Sequence, residues 1–336
     1  MPQTRILVLP PPSMIRQLFS PAAVETLRSL GETHFNPDER QFTADELASR
    51  IGGFDILLTG WRSPRLTEAI LQNAQRLRLI AHSAGSVKFM LDQSTFDRGI
   101  RVTSAAMAMA QPVAEMSVLL AMLMLRPVHR IDEMMRAGRT WPEMKAAALG
   151  EELGGQTIGL VGAGNIGRRV IPLFKAFGAK VLLYDPTIDV RQAAEWGVTL
   201  APTLDEMLPH CRILSLHAPV LPETHRMIGA RQLALLREGT ILINTARAWL
   251  VDNDALLAEL QSGRLRAAVD VFDEEPLPPD SPWRRAPNAL LLSHIAATTQ
   301  QCFHRQGDIT VSEIDRFLRG QPLEYEIKPE MLATMA

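Results

Sequence analysis

"GLVGAGNIGRRV", residues 159–170, sets three glycines as Gly-x-Gly-x-x-Gly directly after an apolar run. Such a turn joins a strand to a helix in many folds, and the flanking residues decide whether it holds a nucleotide. Upstream, TIGLV (157–161) is apolar; downstream, Ile166, Val170, Leu173, Phe174 and Phe177 recur at helical spacing, so the helix that follows buries one face. The next β-like run closes on Tyr184-Asp185-Pro186, placing the Asp185 carboxylate about 20 residues beyond the glycines, where it can accept hydrogen bonds from an adenosine ribose. Strand, glycine turn, amphipathic helix and acid together form a dinucleotide fingerprint. Gly162 then makes the tight turn, Gly164 lets the backbone approach a pyrophosphate, and Gly167 lets helix and strand pack closely. An acid at that strand end repels a 2′-phosphate, so the pattern favours NAD over NADP. The plain alternative is a helix-terminal turn with a surface aspartate.

The same rhythm extends in both directions. Before the glycines, RILVLP (5–10), FDILLTG (54–60), LRLIAHS (77–83) and IRVTSA (100–105) alternate with helix-like segments around 22–31, 44–51 and 65–75. After them come KVLLYDP (180–186), RILSLHAP (212–219), TILINTA (240–246), RAAVDVF (266–272) and ALLLSHI (289–295). Strands separated by helices predict parallel sheets with helices on both faces. The Met-rich segment 107–138 reads as one long helix crossing between two such units, its methionines filling a core or an interface. A last helical pattern, about 305–319, is expected to pack back on the first unit. The expected fold is α/β with two doubly wound parallel-sheet domains: a Rossmann NAD-binding domain at 104–295, inserted into a flavodoxin-like substrate-binding domain made of 1–103 and 296–336.

Length and composition agree with two soluble domains: 336 residues, 46% hydrophobic and 21% charged. A formal net charge of −2 with no basic block gives no electrostatic footprint for nucleic acid or an anionic membrane, which leaves a small molecule or a second copy as the expected partner. Cys211 and Cys302 make neither a disulfide framework nor a four-thiolate zinc site; they read as buried thiols suited to a reducing cytoplasm, and no metal centre is expected. MPQTRILVLPPP has no signal-peptide core, so export is not expected. The longest apolar stretch, 113–125, carries Glu115 and Ser117 and falls short of the roughly 18 residues of a bilayer span.

Five blocks then stand in a telling order: "GEELGGQTIGLVGAGNIG", "LHAPVLPETHRMI", "LINTARAWLVDNDALLAELQSGRL", "AAVDVFDEEPLPPDSPW" and "LLLSHIAATT". From about residue 77 to 320 the chain resembles the D-isomer-specific 2-hydroxyacid dehydrogenase family, which includes phosphoglycerate, glycerate and D-lactate dehydrogenases. The resemblance implies Arg247 of "NTAR", Glu275 of "EEP" and His294 of "HIAA" as the catalytic set. Each type has a chemical reason. A guanidinium presents a planar fork of donors that can hold a 2-oxoacid's carboxylate and polarise its carbonyl. An imidazole exchanges the proton that accompanies hydride transfer, and a carboxylate beside the ring stabilises its protonated form and fixes its tautomer. Taken singly, Arg247 and Glu275 could be a surface ion pair and His294 a structural histidine. The resemblance further implies Asp270 facing the nicotinamide carboxamide, Thr245 and Ala246 lining the cofactor, Asn165 and Ile166 covering the pyrophosphate, substrate bound between domains, and a homodimer.

Several positions depart from the family's pattern. Ala248 follows the arginine where Gly is usual, and Ser293 replaces the Pro before the histidine. Where the family carries a Gly-x-Gly loop and an Asp, the chain has Ala84-Gly85-Ser86 and Lys88; Ser104 and Met109 replace two asparagines. Backbone donors survive at 84–86, so carboxylate binding remains feasible, while Lys88, Ser83 and Ser86 point to a substrate with a polar tail, such as a sugar-derived acid, rather than pyruvate. The plain alternative for Lys88 is a solvated surface lysine. Two other functions share the scaffold: a dinucleotide-sensing corepressor-like interaction protein, and an enzyme acting on formate or phosphite, against which Glu275 speaks.

Overall fold

RILV folds as β1 (Arg5–Val8), and each apolar run that follows it contributes a strand: β3 (Ile56–Thr59), β4 (Leu79–His82) and β5 (Arg101–Ser104). Together with β2 (Glu32–Phe35) and β13 (Glu326–Ile327) they form a sheet of order β13-β5-β4-β3-β1-β2, parallel except for β13. Its parallel part has the 2-1-3-4-5 order of flavodoxin-like folds. Side chains alternate between two cores: Ile6, Val8, Ile56 and Leu58 pack on one face with Val311 and Ile314 of the helix Gln300–Leu318, while Leu7, Leu57, Ile80 and Val102 pack on the other with Leu47 and Leu71. Burial on both faces is why these strands read as continuous apolar runs.

The second sheet contains β6 (Thr157–Val161), β7 (Lys180–Tyr184), β8 (Thr199–Leu200), β9 (Ile213–Leu216), β10 (Ile241–Asn244), β11 (Arg266–Val269) and β12 (Ala289–Leu291). All are parallel, in the order β12-β11-β10-β9-β6-β7-β8, so that order reverses beside β6, the topological switch point of a Rossmann sheet. This computed structural model describes residues 3–335. They divide into one unit that comprises the chain up to Met109 with Thr298–Met335, and a second, Ala110–Ala297.

Three sequence expectations need correction. The segment 107–138 is not one helix: a 3-10 turn, Ala106–Met109, leads into the helix Ala110–Leu125, and a separate helix, Val128–Arg136, begins after Pro127. Pro127 lacks an N–H and crowds the residue before it, which stops the first helix. Only Glu68–Leu71 of 65–75 is helical; after it Asn73 and Ala74 close turns on the carbonyls of Ile70 and Leu71. Counted from Ala106, the apolar helical run reaches 20 residues of mean hydropathy 1.6, long and apolar enough by length and composition to cross a membrane. Its inner face is buried, through Val113, Ala114, Ser117, Val118 and Ala121, against β10, β11 and the helix Gly167–Ala176, as in the core helix of a soluble domain.

Candidate active site

The glycine loop follows β6 directly. Gly162 has φ +91°, and a Cβ there would meet the backbone of His217 and Ala218 at 2.9 and 2.8 Å, so the turn admits no side chain. A Cβ on Gly167 would lie 2.1 Å from the Gly162 carbonyl oxygen, whereas at Gly164 it would project into open space. Among the described residues, the N–H groups of Gly164, Asn165, Ile166 and Gly167 make no hydrogen bond, and the helix Gly167–Ala176 starts behind them. Open space and four unspent donors at a helix N-terminus fit a dinucleotide pyrophosphate. Asp185, just beyond β7, braces the loop as well: Oδ2 accepts from Ala163 N at 2.7 Å, and Oδ1 from Thr187 N and Oγ1 at 2.9 and 2.7 Å. Gly167→Ala is expected to cost about 2 kcal/mol of stability and to weaken NADH binding, read by thermal midpoint and fluorescence titration.

Strand β10 delivers the arginine. Asn244, buried at its end, accepts from Ala246 N at 3.0 Å through Oδ1 and donates through Nδ2 to the Arg247 carbonyl at 2.8 Å, fixing the peptide on which Arg247 stands. Thr245 is also buried, its hydroxyl 3.0 Å from Ser117 Oγ. The Arg247 guanidinium donates Nη1–H to the Ala246 carbonyl at 2.6 Å, and its other N–H groups are unspent among the described residues. Burial pulls its pKa below the ordinary arginine value, opposed by the charge of Glu275.

Glu275 and His294 are in direct contact. Glu275 Oε2 lies 2.6 Å from His294 Nδ1, while Oε1 accepts from Phe272 N at 3.0 Å, which locks the carboxylate. A carboxylate only accepts, so Nδ1 carries the proton and Nε2 of the half-exposed ring is left to bind or release one. His294 has φ +59°, a left-handed backbone uncommon for a non-glycine residue. Asp270 holds that backbone: fully buried after β11, it accepts from Ile295 N at 2.7 Å and Ala296 N at 2.8 Å. Burial pushes its carboxyl pKa up, and the two N–H donors pull it back. Both oxygens are thus engaged by the chain itself, a use that the reading of Asp270 as a carboxamide partner did not anticipate.

In the other unit, Ala84, Gly85 and Ser86 follow β4, and their N–H groups make no hydrogen bond among the described residues. Ser83 corrects the sequence reading: it is fully buried and its hydroxyl donates to the Thr59 carbonyl at 2.8 Å, so it has no donor left for a substrate. Ser86 Oγ accepts from Lys88 N at 3.3 Å. Sequence reasoning missed Asn244 and two buried histidines, His82 at the end of β4 and His217 just after β9. The one visible signal was a polar residue closing an apolar run, in ILIN, LIAH and LSLH. Among the described residues no group of three or more His, Cys, Asp or Glu is arranged to hold a metal ion.

Those histidines set an acid limit on stability. His82 Nδ1 lies 2.9 Å from Thr59 Oγ1, and burial pushes its pKa down to about 4; His217 Nε2 lies 2.8 Å from Ser215 Oγ, and burial pushes it down to about 3. Unfolded, both titrate near 6.5. Above that pH neither state is charged and the two residues are neutral in stability. Below it the unfolded chain binds protons that the folded chain refuses, so stability falls as pH drops from about 6.5 toward 4, by on the order of 3 kcal/mol per histidine. Thermal midpoints measured across this window should decline, and less steeply in His217→Asn.

Sheet order and glycine loop define a dinucleotide-binding α/β protein. A family model described as "D-isomer specific 2-hydroxyacid dehydrogenase, NAD binding domain" matches residues 118–296, more than half of the chain. The chain is 31% identical over 303 residues to a D-3-phosphoglycerate dehydrogenase of Methanocaldococcus jannaschii, covering 90% of this chain and 56% of that protein. With a glyoxylate reductase of Korarchaeum cryptofilum it is 31% identical, covering 86% of this chain and 89% of the relative. Among solved structures, a protein of Thermus thermophilus superposes with a TM-score of 0.83 at 29% identity, covering 97% of this chain and all of the other. The chain belongs to the D-isomer specific 2-hydroxyacid dehydrogenase family, and it spans little more than half the length of the phosphoglycerate dehydrogenase that it matches.

Proposed function

We propose that the protein is an NAD-dependent D-2-hydroxyacid dehydrogenase acting reversibly on a small 2-oxo/2-hydroxy acid. The observation that carries this reading is the Glu275–His294 pair: a 2.6 Å contact, a locked carboxylate and a ring whose Nε2 is unspent. When bound, the dinucleotide supplies or accepts the hydride. Nε2 of His294 gives a proton to the carbonyl oxygen in reduction and takes it back in oxidation, while Glu275 keeps the ring in the required tautomer. The N–H groups of Arg247 not spent on Ala246 hold the substrate carboxylate and polarise the carbonyl, the residue's backbone being positioned by Asn244. Gly162, Gly164, Asn165, Ile166 and Gly167 seat the pyrophosphate, Asp185 meets the ribose, and Thr245 and Ala246 line the nicotinamide end. Ala84, Gly85 and Ser86 offer backbone donors to the substrate carboxylate.

With Ser83 spent on Thr59, the preference for a polar tail rests on Lys88 and Ser86. Exposed Val128, Met135 and Trp141 in the segment after Pro127 support a homodimer, which sedimentation would detect. The enzymatic reading is tested by NADH oxidation on a panel of 2-oxoacids. Turnover should be seen, with hydroxypyruvate-like acids exceeding pyruvate in kcat/KM. Equal rates on both would remove the polar-tail preference; tight NADH binding with no turnover would favour the sensing protein.

A further inference from the structure

The backbone at 84–86 is turned so that its donors are free, and the structure contains a specific reason. Ser104 Oγ lies 2.5 Å from the Gly85 carbonyl oxygen and 3.2 Å from that of Ala84, so its single proton is donated to Gly85, and the same oxygen accepts from Ala106 N at 3.2 Å. With the carbonyls of Ala84 and Gly85 both within reach of one hydroxyl, the orientation of the two peptides that follow them is tied to Ser104, and the N–H groups of residues 84–86 make no hydrogen bond among the described residues. Met109 also closes on Gly85: a Cβ there would lie 2.6 Å from Met109 Cε.

Ser104 is itself held on both sides. Along the sheet it is in register with His82 of β4, and its N–H donates to the Tyr325 carbonyl at 3.2 Å. Tyr325 and Glu324 are clamped in turn by Glu313, a buried carboxylate in the helix Gln300–Leu318 that accepts from Tyr325 N at 3.0 Å and Glu324 N at 3.1 Å. β13 then pairs with β5, Glu326 opposite Thr103 and Ile327 opposite Val102. These contacts hold the backbone of Ser104, and the hydroxyl is held by its own bonds to Gly85 O and Ala106 N.

On the 2-oxoacid reading given above, we infer that Ser104 is a positioning residue for substrate: it never touches the acid but holds the Ala84–Gly85–Ser86 backbone in its carboxylate-binding shape. The test compares wild type, Ser104→Ala and Ser104→Thr by steady-state kinetics on a 2-oxoacid at saturating NADH, and by calorimetric titration of oxalate into the NADH-loaded proteins. Loss of the hydroxyl should raise KM and the oxalate Kd about tenfold, leave kcat within about twofold and NADH affinity unchanged, and be reversed by threonine. If alanine lowers the thermal midpoint, Ser104→Cys, similar in size but a weak donor, serves in its place. KM and oxalate Kd that stay at wild-type values in the alanine variant would overturn the inference, as would a parallel fall in NADH affinity or no oxalate binding by wild type. Should wild type turn over no acid while the oxalate Kd still rises tenfold, the dehydrogenase reading falls and the role of Ser104 stands.

Discussion

His294→Ala is expected to lower kcat for 2-oxoacid reduction by at least about two decades, the size associated with a positioned acid–base group, while NADH still binds. The ring contributes through Nε2, because Nδ1 is committed to Glu275 at 2.6 Å. His294 stands at φ +59°, where alanine is strained, so His294→Asn provides a companion variant: asparagine tolerates a left-handed backbone and cannot exchange the proton. Both variants should lose the same activity, whereas a merely structural histidine would be rescued by asparagine. Glu275→Gln addresses the same pair differently. An amide can donate to Nδ1, which moves the ring proton to Nε2 and removes the base needed for oxidation. Stopped-flow traces in both directions would separate these effects.

Arg247→Gln should reduce kcat/KM by about a thousandfold, comparable to removing a preorganised donor aimed at developing charge. The guanidinium is partly buried, its Nη1 is tied to its own backbone at 2.6 Å, and its remaining donors are unspent, so the fork is poised without being consumed by the fold. Arg247→Lys is expected to recover only part of the loss, since an ammonium keeps the charge and lacks the planar fork. The comparison of the two variants by steady-state kinetics distinguishes carboxylate recognition by geometry from simple charge attraction.

Much of this was legible in the residues. Parallel strands buried on both faces leave continuous apolar runs, which is why β1, β3, β4, β5 and the strands on either side of the glycine loop could be read directly. β2 (ETHF) could not, because it is an edge strand with half its side chains exposed, nor could β13, two residues long and held by pairing with β5 and by the Glu313 clamp on the chain ahead of it. The break at Pro127 was visible in principle; its helix-stopping effect was outweighed by the apolar run on one side and the helix formers on the other. The pairing of Glu275 with His294 and the glycine geometry followed the motifs. The roles of Asn244, Ser104 and Asp270 did not, because each is defined by peptides it touches across a turn or a strand pair, and no local pattern carries that information. Ser83 failed for the opposite reason: a hydroxyl in a promising loop proved to be spent on Thr59.

The proposed reaction transfers hydride to C2 of an acid with defined stereochemistry. The most direct measurement is to reduce an accepted 2-oxoacid with NADH carrying deuterium at both C4 positions of the nicotinamide and to analyse the product by mass spectrometry and chiral chromatography. Deuterium at C2 of a 2-hydroxy acid of D configuration is the predicted result. A product without deuterium, or one of L configuration, would contradict the account.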